Sequence, residues 1–465
     1  MNNKYIKLLK DTFIFAIGGI GSKMILFFLV PLYTNYLSTE EYGIADLIFT
    51  VSQFIIPFAS LVIWGAVVRF ALSKSEKKED VLLCSLIVWG IGAIVTVFAT
   101  PLIGLYEPIA KWKWHLCIYV IINIFMSIEF NYIKAKEQNK LYATISIVQT
   151  LVMALSNVLF IVIIPLGIDG YVFANIIGNL IAALGIFIFG RLYRDIRNAK
   201  FSSELLKRML IYSAPLILND ISWWAIHSAN KIIVELILGA SVLGIYTVAT
   251  KIPSLINVLI SVFQQSWGIS SIKEIESSND SKFYSNIFNI FSFIAFSMSI
   301  GLILIIKPLM TVYVGESFIE AWKYIPLLLV SATFSAISSY FVSLYSALKK
   351  SVNNMATTLI GAIANVVVSA ILANYIGLWG AILGTFVAYL ILGITRMIDA
   401  TRFIKIKIDL GRFIINSAII IAQAILVSLE IHMYLVSAVA IIAFSVTNWK
   451  FLKYLIGKLA KYNAK

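Results

Sequence analysis

Long apolar runs, each of about twenty residues, recur from one end of the chain to the other and limit its fold more than any other feature. A run of about that length spans the hydrocarbon core of a bilayer as a helix. Only 13% of the 465 residues are charged, against about 25% in soluble proteins. The sequence therefore predicts an all-α polytopic membrane protein with about fourteen transmembrane helices, at 11–33, 44–70, 81–103, 114–134, 142–166, 170–192, 211–238, 243–269, 284–306, 324–346, 353–374, 379–403, 411–430 and 432–452. The last two runs are divided only at Glu430 to His432, and twelve helices is the alternative.

Basic residues are concentrated in alternate connections between these runs. With the N-terminus in the cytoplasm, 30 of the 37 Lys and Arg fall in cytoplasmic segments, four in external loops and three within runs. Cytoplasmic loops of membrane proteins carry such an excess, so both termini are predicted to be cytoplasmic. An anionic lipid surface attracts these loops, and the net charge of +14 needs no nucleic acid to explain it.

Two turns in the chain have the same outline. The stretch "PLYTNYLSTEEYGI" ends the first run, and "VELILGASVLGI" ends the seventh. A shift of 201 residues superimposes three pairs: Leu37 with Leu238, Gly43 with Gly244, and Ile44 with Ile245. With six helices in each unit, both copies have the same orientation, and a parallel duplication is predicted.

The most basic connection, "RLYRDIRNAKFSSELLKR", separates the sixth run from the seventh. We expect two six-helix lobes, followed by a C-terminal helix pair. The predicted divisions are an N-terminal lobe at 1–192, a basic cytoplasmic linker at 193–210, a second lobe at 211–403, and the helix pair with a basic tail at 404–465.

Polar residues recur at three- and four-residue steps within several runs and so share one helix face. A charge at the bilayer centre costs about 2.5–3.5 kcal/mol on insertion scales and normally faces a cavity or a partner. The predicted cavity residues are Lys23, Asp46, Gln53, Asp220, His227, Lys231, Glu235 and Lys251, with Arg69 and Glu129 as weaker candidates.

Each candidate also has a purely structural interpretation. Lys231 and Glu235 are i,i+4 neighbours that would neutralise one another, whereas Lys23 and Lys251 have no acid three or four positions away. Arg69 at a helix end would simply extend to the interface. Pro57, Pro215 and Pro253 fall inside runs and predict kinks, either in a moving cavity wall or merely in packing.

No motif of a soluble enzyme is present in the sequence. There is no Walker loop, the three histidines are scattered, and the two cysteines are predicted to lie near opposite faces of the bilayer. We predict no catalytic residues, no metal site and no cofactor.

Three stretches resemble the Wzx-type polysaccharide flippases. These are "PLYTNYLSTEEYGIADL", "YIKAKEQNKLYA" and "YSAPLIL…WWAIHSANKIIVELILGASVLGIYTVATKI". The family commonly has Asp-Arg where this chain has Asn230-Lys231, so the positive charge is kept and the acid is lost.

The resemblance implies the multidrug/oligosaccharidyl-lipid/polysaccharide (MOP) exporter superfamily, in which two six-helix lobes surround a central cavity and some members have two extra helices. It implies a flippase in the bacterial plasma membrane that moves an undecaprenyl-diphosphate-linked oligosaccharide, such as an O-antigen, capsule or exopolysaccharide unit, to the outer leaflet. Expected partners are the lipid-linked substrate, membrane lipids, a polysaccharide polymerase and chain-length machinery. The sequence leaves open whether a proton or a sodium ion is coupled to transport.

Two other functions compete with this one. A cation-coupled multidrug exporter of the same fold should have an acidic cavity, whereas this chain has three lysines within its runs. A polysaccharide polymerase or ligase should have a long external loop with catalytic residues, and the longest external loop here, about 307–323, contains no histidine.

Overall fold

All regular elements that the structure describes are helices. The computed structural model describes residues 24–453 except 26, 74, 278–280, 349, 405 and 450. The α-helices are α1 (27–36), α2 (Thr39–Ser60), α3 (Ile63–Ala71), α4 (Lys78–Ile103), α5 (Lys113–Ala135), α6 (Asn139–Asn157), α7 (Ile168–Phe189), α8 (Leu192–Asn198), α9 (Ser203–Leu238), α10 (Ala240–Ala249), α11 (Ser254–Ser277), α12 (Ser281–Tyr313), α13 (Ile325–Ala347), α14 (Ser351–Ile376), α15 (Leu378–Thr401), α16 (Leu410–Ser428) and α17 (Met433–Thr447). Short 3₁₀ turns precede α5 and α13, and a π-helical turn follows α6.

The predicted all-α polytopic membrane fold is confirmed. Among the described residues, eleven helices are long and apolar enough to cross a membrane, and a bent pair at Ala240–Ala249 and Ser254–Ser261 would make twelve. Each of the twelve predicted runs from 44–70 to 411–430 contains a described helix. The first run lies mostly outside the described residues, and the last forms the 15-residue helix α17.

The two glutamates of the first turn mark the start of α2. Ser38 Oγ accepts a hydrogen bond from the Glu41 N–H at 3.1 Å, and Glu41 Oε2 accepts one from the Ser38 N–H at 2.9 Å. This reciprocal capping box satisfies backbone donors that have no partner within the helix. It accounts for an acidic residue between two apolar runs.

The second predicted run is broken into two helices. α2 ends at Ser60 and α3 begins at Ile63, because Leu61 and Val62 both adopt left-handed conformations with φ of 51°. Pro57 lies one turn before the break. In the eighth run, Pro253 lies in a 44° bend between α10 and α11, whereas Pro215 is inside the single helix α9. Two of the three predicted proline kinks therefore coincide with breaks.

The chain forms two compact units, Met1–Thr247 and Val248–Lys465. The predicted division into two lobes at the linker 193–210 was based on the repeated sequence pattern, and it stays a prediction. In the first unit, α5 packs on α2, α3, α4 and α7, and α9 packs on α2 and α3.

The second unit is built around α13. Most of this helix is buried between α11, α12, α15 and α16. The C-terminal pair α16–α17 is joined by amide hydrogen bonds between Asn416 and Asn448, and Gln423 donates to Ser437 Oγ at 3.2 Å. The predicted helix pair therefore packs as a pair.

Candidate functional site

Two glycines from the predicted repeats meet where α2 crosses α10. A methyl group added at Gly43 would collide with the Ala240 carbonyl oxygen, and one added at Gly244 would collide with the Thr39 carbonyl oxygen. Only glycine permits so close an approach of two backbones. We call this contact the α2–α10 crossing.

Polar side chains join the same two helices on either side of the glycines. Thr39 Oγ1 and Ser241 Oγ are 2.7 Å apart at the start of both helices. One turn beyond the glycines, Thr247 Oγ1 donates a hydrogen bond to Asp46 Oδ2 at 3.1 Å. The crossing is thus fixed by backbone contact in its centre and by hydrogen bonds at both ends.

Asp46 also binds the lysine predicted to lie in the cavity. Lys231 Nζ of α9 is 2.7 Å from Asp46 Oδ2, and the two side chains are only 18% and 9% exposed. An ion pair so far from water needs close geometry to offset desolvation of both charges. The same Asp46 oxygen therefore links α2 to both α9 and α10.

Glu235 has a different partner from the one that its spacing suggests. Its Oε2 accepts a hydrogen bond from the Tyr106 hydroxyl, in the connection after α4. The structural alternative of a Lys231–Glu235 pair is therefore wrong for this structure, because Lys231 pairs with Asp46. The i,i+4 spacing correctly places both residues on one face of α9, but it carries no information about partners on neighbouring segments.

The other predicted residues lie in several environments. Asp220 is half-buried and accepts a hydrogen bond from Asn219, and His227 is exposed with its ring stacked on Trp223. Gln53 and Arg69 are exposed, and Lys251 is half-buried in the second unit. Lys23 lies outside the described residues.

Glu129 is completely buried in α5. Neither of its carboxylate oxygens has a hydrogen-bond partner among the described residues. Burial of an ionised carboxylate without a partner is strongly unfavourable, so this position suits the neutral acid. Glu129 therefore differs from Asp46, whose carboxylate is paired with a cation.

A buried arginine in α15 was not recognised as a special position from the sequence. Arg396 is 1% exposed and donates to neutral oxygens of Ser338, Asn354, Thr357 and Thr358. Its position near the end of a run assigned it to a basic cytoplasmic segment. The hydroxyl and amide residues on α14 were the available signal, because such groups bind a buried guanidinium.

Within the described part of the chain, no three His, Cys, Asp or Glu residues come together as a metal site. The polar groups at the α2–α10 crossing and on α9 instead bind one another, through the Asp46–Lys231 ion pair and the Asp46–Thr247 hydrogen bond. The Lys231 ammonium group is therefore held within the membrane-spanning part of the chain.

A sequence profile described as "Polysaccharide biosynthesis protein" matches residues 8–268, which is more than half of the chain. No curated protein sequence matches the chain. Among solved structures, the lipid II flippase MurJ in its inward closed conformation is similar, with a TM-score of 0.72 and 15% identity over 96% of this chain and 100% of that one. An outward-facing multidrug resistance MATE transporter of the MOP superfamily is also similar, with a TM-score of 0.63 and 16% identity over 85% of this chain and 95% of that one. At such identities, these likenesses concern the fold.

Proposed function

The chain belongs to the polysaccharide biosynthesis protein family, and on that basis we propose that it is a flippase for a lipid-linked oligosaccharide. The substrate is an oligosaccharide linked to undecaprenyl diphosphate, and it moves from the cytoplasmic to the outer leaflet of the bacterial plasma membrane by alternating access. The observation that carries the proposal is the family match on a chain made of membrane-spanning helices.

The charge of the proposed substrate explains why lysines would be placed within the membrane. A diphosphate carries at least two negative charges, and crossing the hydrocarbon core requires cations to compensate them. Lysine contacts phosphate as a point charge and forms no rigid bidentate fork. Lys23, Lys231 and Lys251 are the proposed cations, and Lys231 is paired with Asp46 in this structure.

The remaining predicted residues have supporting roles in this proposal. The exposed and half-buried polar residues Gln53, Asp220 and His227 would contact the sugar or the water that accompanies it. A polymerase and chain-length machinery would use the product. The driving force, a proton gradient, a sodium gradient or the membrane potential, stays open.

The second candidate is a cation-coupled drug exporter, which the fold likeness to a MATE transporter favours. Such an exporter binds organic cations, and these require carboxylates that are not already neutralised. At the α2–α10 crossing the carboxylate of Asp46 is paired with Lys231. This pairing removes Asp46 from the free carboxylates that a cationic substrate would need.

A transport assay distinguishes the two functions. Purified protein in liposomes should expose an undecaprenyl-diphosphate-linked sugar to an external lectin, and should not transport ethidium. Lys231→Ala should abolish exposure of the sugar. The matched control is Lys407→Ala, because Lys407 is exposed outside the predicted spans. Transport of ethidium without exposure of the sugar would overturn the proposal in favour of the exporter.

A further inference from the structure

Two of the contacts that Asp46 makes join α2 to other helices. Its Oδ2 pairs with Lys231 Nζ at 2.7 Å and accepts from Thr247 Oγ1 at 3.1 Å. A carboxylate in this position repels an anionic substrate. It also occupies the Lys231 ammonium group, which that substrate would need. The Asp46 carboxylate therefore has the same sign of charge as the substrate's diphosphate and competes with it for Lys231.

We propose that Asp46 is an internal counter-anion, which holds Lys231 until the substrate's diphosphate replaces it and thereby releases α2 from α9 and α10. This inference rests on the proposed function, because it requires an anionic lipid headgroup. Asp46 is thus a positioning residue that links headgroup binding to the α2–α10 crossing, and it is not itself a substrate ligand.

Burial explains why the exchange needs an anion. Removing one partner of a buried ion pair leaves an uncompensated charge, which is strongly unfavourable. A diphosphate avoids that cost for Lys231, because it supplies negative charge at the same ammonium group. Once α2 moves away, the freed Asp46 carboxylate can be hydrated. The Lys231 ammonium is then paired with the diphosphate, and the Asp46 carboxylate is solvated by water.

The rest of the crossing explains why the exchange would have a structural effect. The helices touch through backbone at Gly43 and Gly244, and side chains hydrogen-bond between Thr39 and Ser241. Packed backbones separate as rigid bodies instead of deforming gradually. Loss of the hydrogen bond from Thr247 to Asp46, once the freed carboxylate takes up water, would favour separation along the whole contact.

Glu235 provides a matched comparison on the same helix. It lies one turn from Lys231 on α9, and its carboxylate is bound by the Tyr106 hydroxyl. If any loss of negative charge near Lys231 were sufficient, neutralising Glu235 would have the same effect as neutralising Asp46. If the exchange takes place at Asp46, neutralising Glu235 would have no such effect.

Disulfide formation across the crossing tests the proposal. In full-length protein with Cys84→Ala and Cys117→Ala, the pair Thr39→Cys and Ser241→Cys should cross-link rapidly under mild oxidation. Undecaprenyl diphosphate should slow cross-linking at least about fivefold, the lower end of coupling between linked sites. Neutral undecaprenol should have no effect.

The substitutions then separate this proposal from a structural role. Asp46→Asn should slow cross-linking without any lipid, Lys231→Ala should remove the effect of the diphosphate, and Glu235→Gln should preserve it. The locked disulfide should stop flipping, and reduction should restore it.

Two results would overturn the inference in distinguishable ways. If radiolabelled undecaprenyl diphosphate binds but leaves cross-linking unchanged, the exchange is wrong and the flippase proposal stands. If that lipid does not bind to folded protein, the proposed function fails and the exchange fails with it.

Discussion

Asp46 and Thr247 are hydrogen-bonded to each other and are 201 positions apart in the chain, the same spacing that separates Gly43 from Gly244. Thr39 and Ala240 have this spacing too, and each glycine faces the carbonyl of the other copy's residue. Contacts between equivalent residues are what an internal two-fold axis produces. At one pair of equivalent positions on this contact, Asp46 and Thr247, an acid faces a hydroxyl, and the acid of this pair binds Lys231.

The glycines of the crossing should tolerate no side chain. Gly43→Ala and Gly244→Ala should each lower the free energy of unfolding by about 1–3 kcal/mol, because the new methyl group meets backbone and must push the helices apart. Thermal unfolding in detergent measures the loss. Gly90→Ala in α4 is the control, since nothing lies within 4 Å of its added methyl group. An unchanged melting temperature for Gly43→Ala would contradict the close approach.

The buried ion pair should behave as a unit. Lys231→Met strands the Asp46 carboxylate and should cost about 3–5 kcal/mol. Asp46→Asn combined with Lys231→Met should restore the yield of folded protein, because neither charge remains, but it should not restore export. Size-exclusion yield and polysaccharide export are measured together. Equal yields for the single and double variants would show that Lys231 has another essential partner.

Arg396 should be sensitive to a change that preserves its charge. Its guanidinium binds residues of both α13 and α14, whereas a lysine ammonium offers three donors at one point. Each lost hydrogen bond to a charged group removes about 1.5–3 kcal/mol, so Arg396→Lys should lower the melting temperature. Arg402→Lys, at a side chain that is 71% exposed, should leave it unchanged. Equal melting temperatures for the two variants would argue against the buried network.

The connection between α16 and α17 should loosen in acid. The hydrogen bond from Lys323 lowers the pKa of Glu430, which also pairs with Lys307 at 3.4 Å. A carboxyl with a lowered pKa stabilises the fold above its unfolded pKa of about 4.3, and the effect disappears as pH falls through the folded value. Protection of the backbone amides at this connection, after correction for the intrinsic exchange rate, should therefore fall below about pH 4, and Glu430→Gln should remove that pH dependence. High salt should weaken the effect in the wild-type chain, because these charges are exposed.

Both termini are expected on the cytoplasmic side. The asymmetry of basic residues predicts that fluorescent reporters fused at Asn2 and Lys465 are active and that periplasmic phosphatase fusions there are not. Fusions in the 307–323 loop should give the opposite result. A phosphatase signal at either terminus would mean that the number of spans is odd or the orientation is reversed.

The helices could be predicted from the sequence because apolar length alone determines a membrane span. Asp46, Lys231 and Glu235 were also found, because charges within apolar runs are conspicuous. Their pairing could not be predicted, since periodicity identifies neighbours on one helix and the actual partners come from α2 and the connection after α4. Thr247 could have been found by applying the 201-residue shift to Asp46.

The break at Leu61 and Val62 has a mechanical consequence. Left-handed conformations cost about 1–3 kcal/mol for residues other than glycine, and the Ser60 hydroxyl accepts the Val62 N–H at 3.1 Å at the junction. A continuous helix transmits torque along its axis, whereas a junction without helical hydrogen bonds does not. α2 and α3 therefore have separate axes within one predicted membrane crossing, with α2 held at the glycines and α3 packed on α4, α5 and α9.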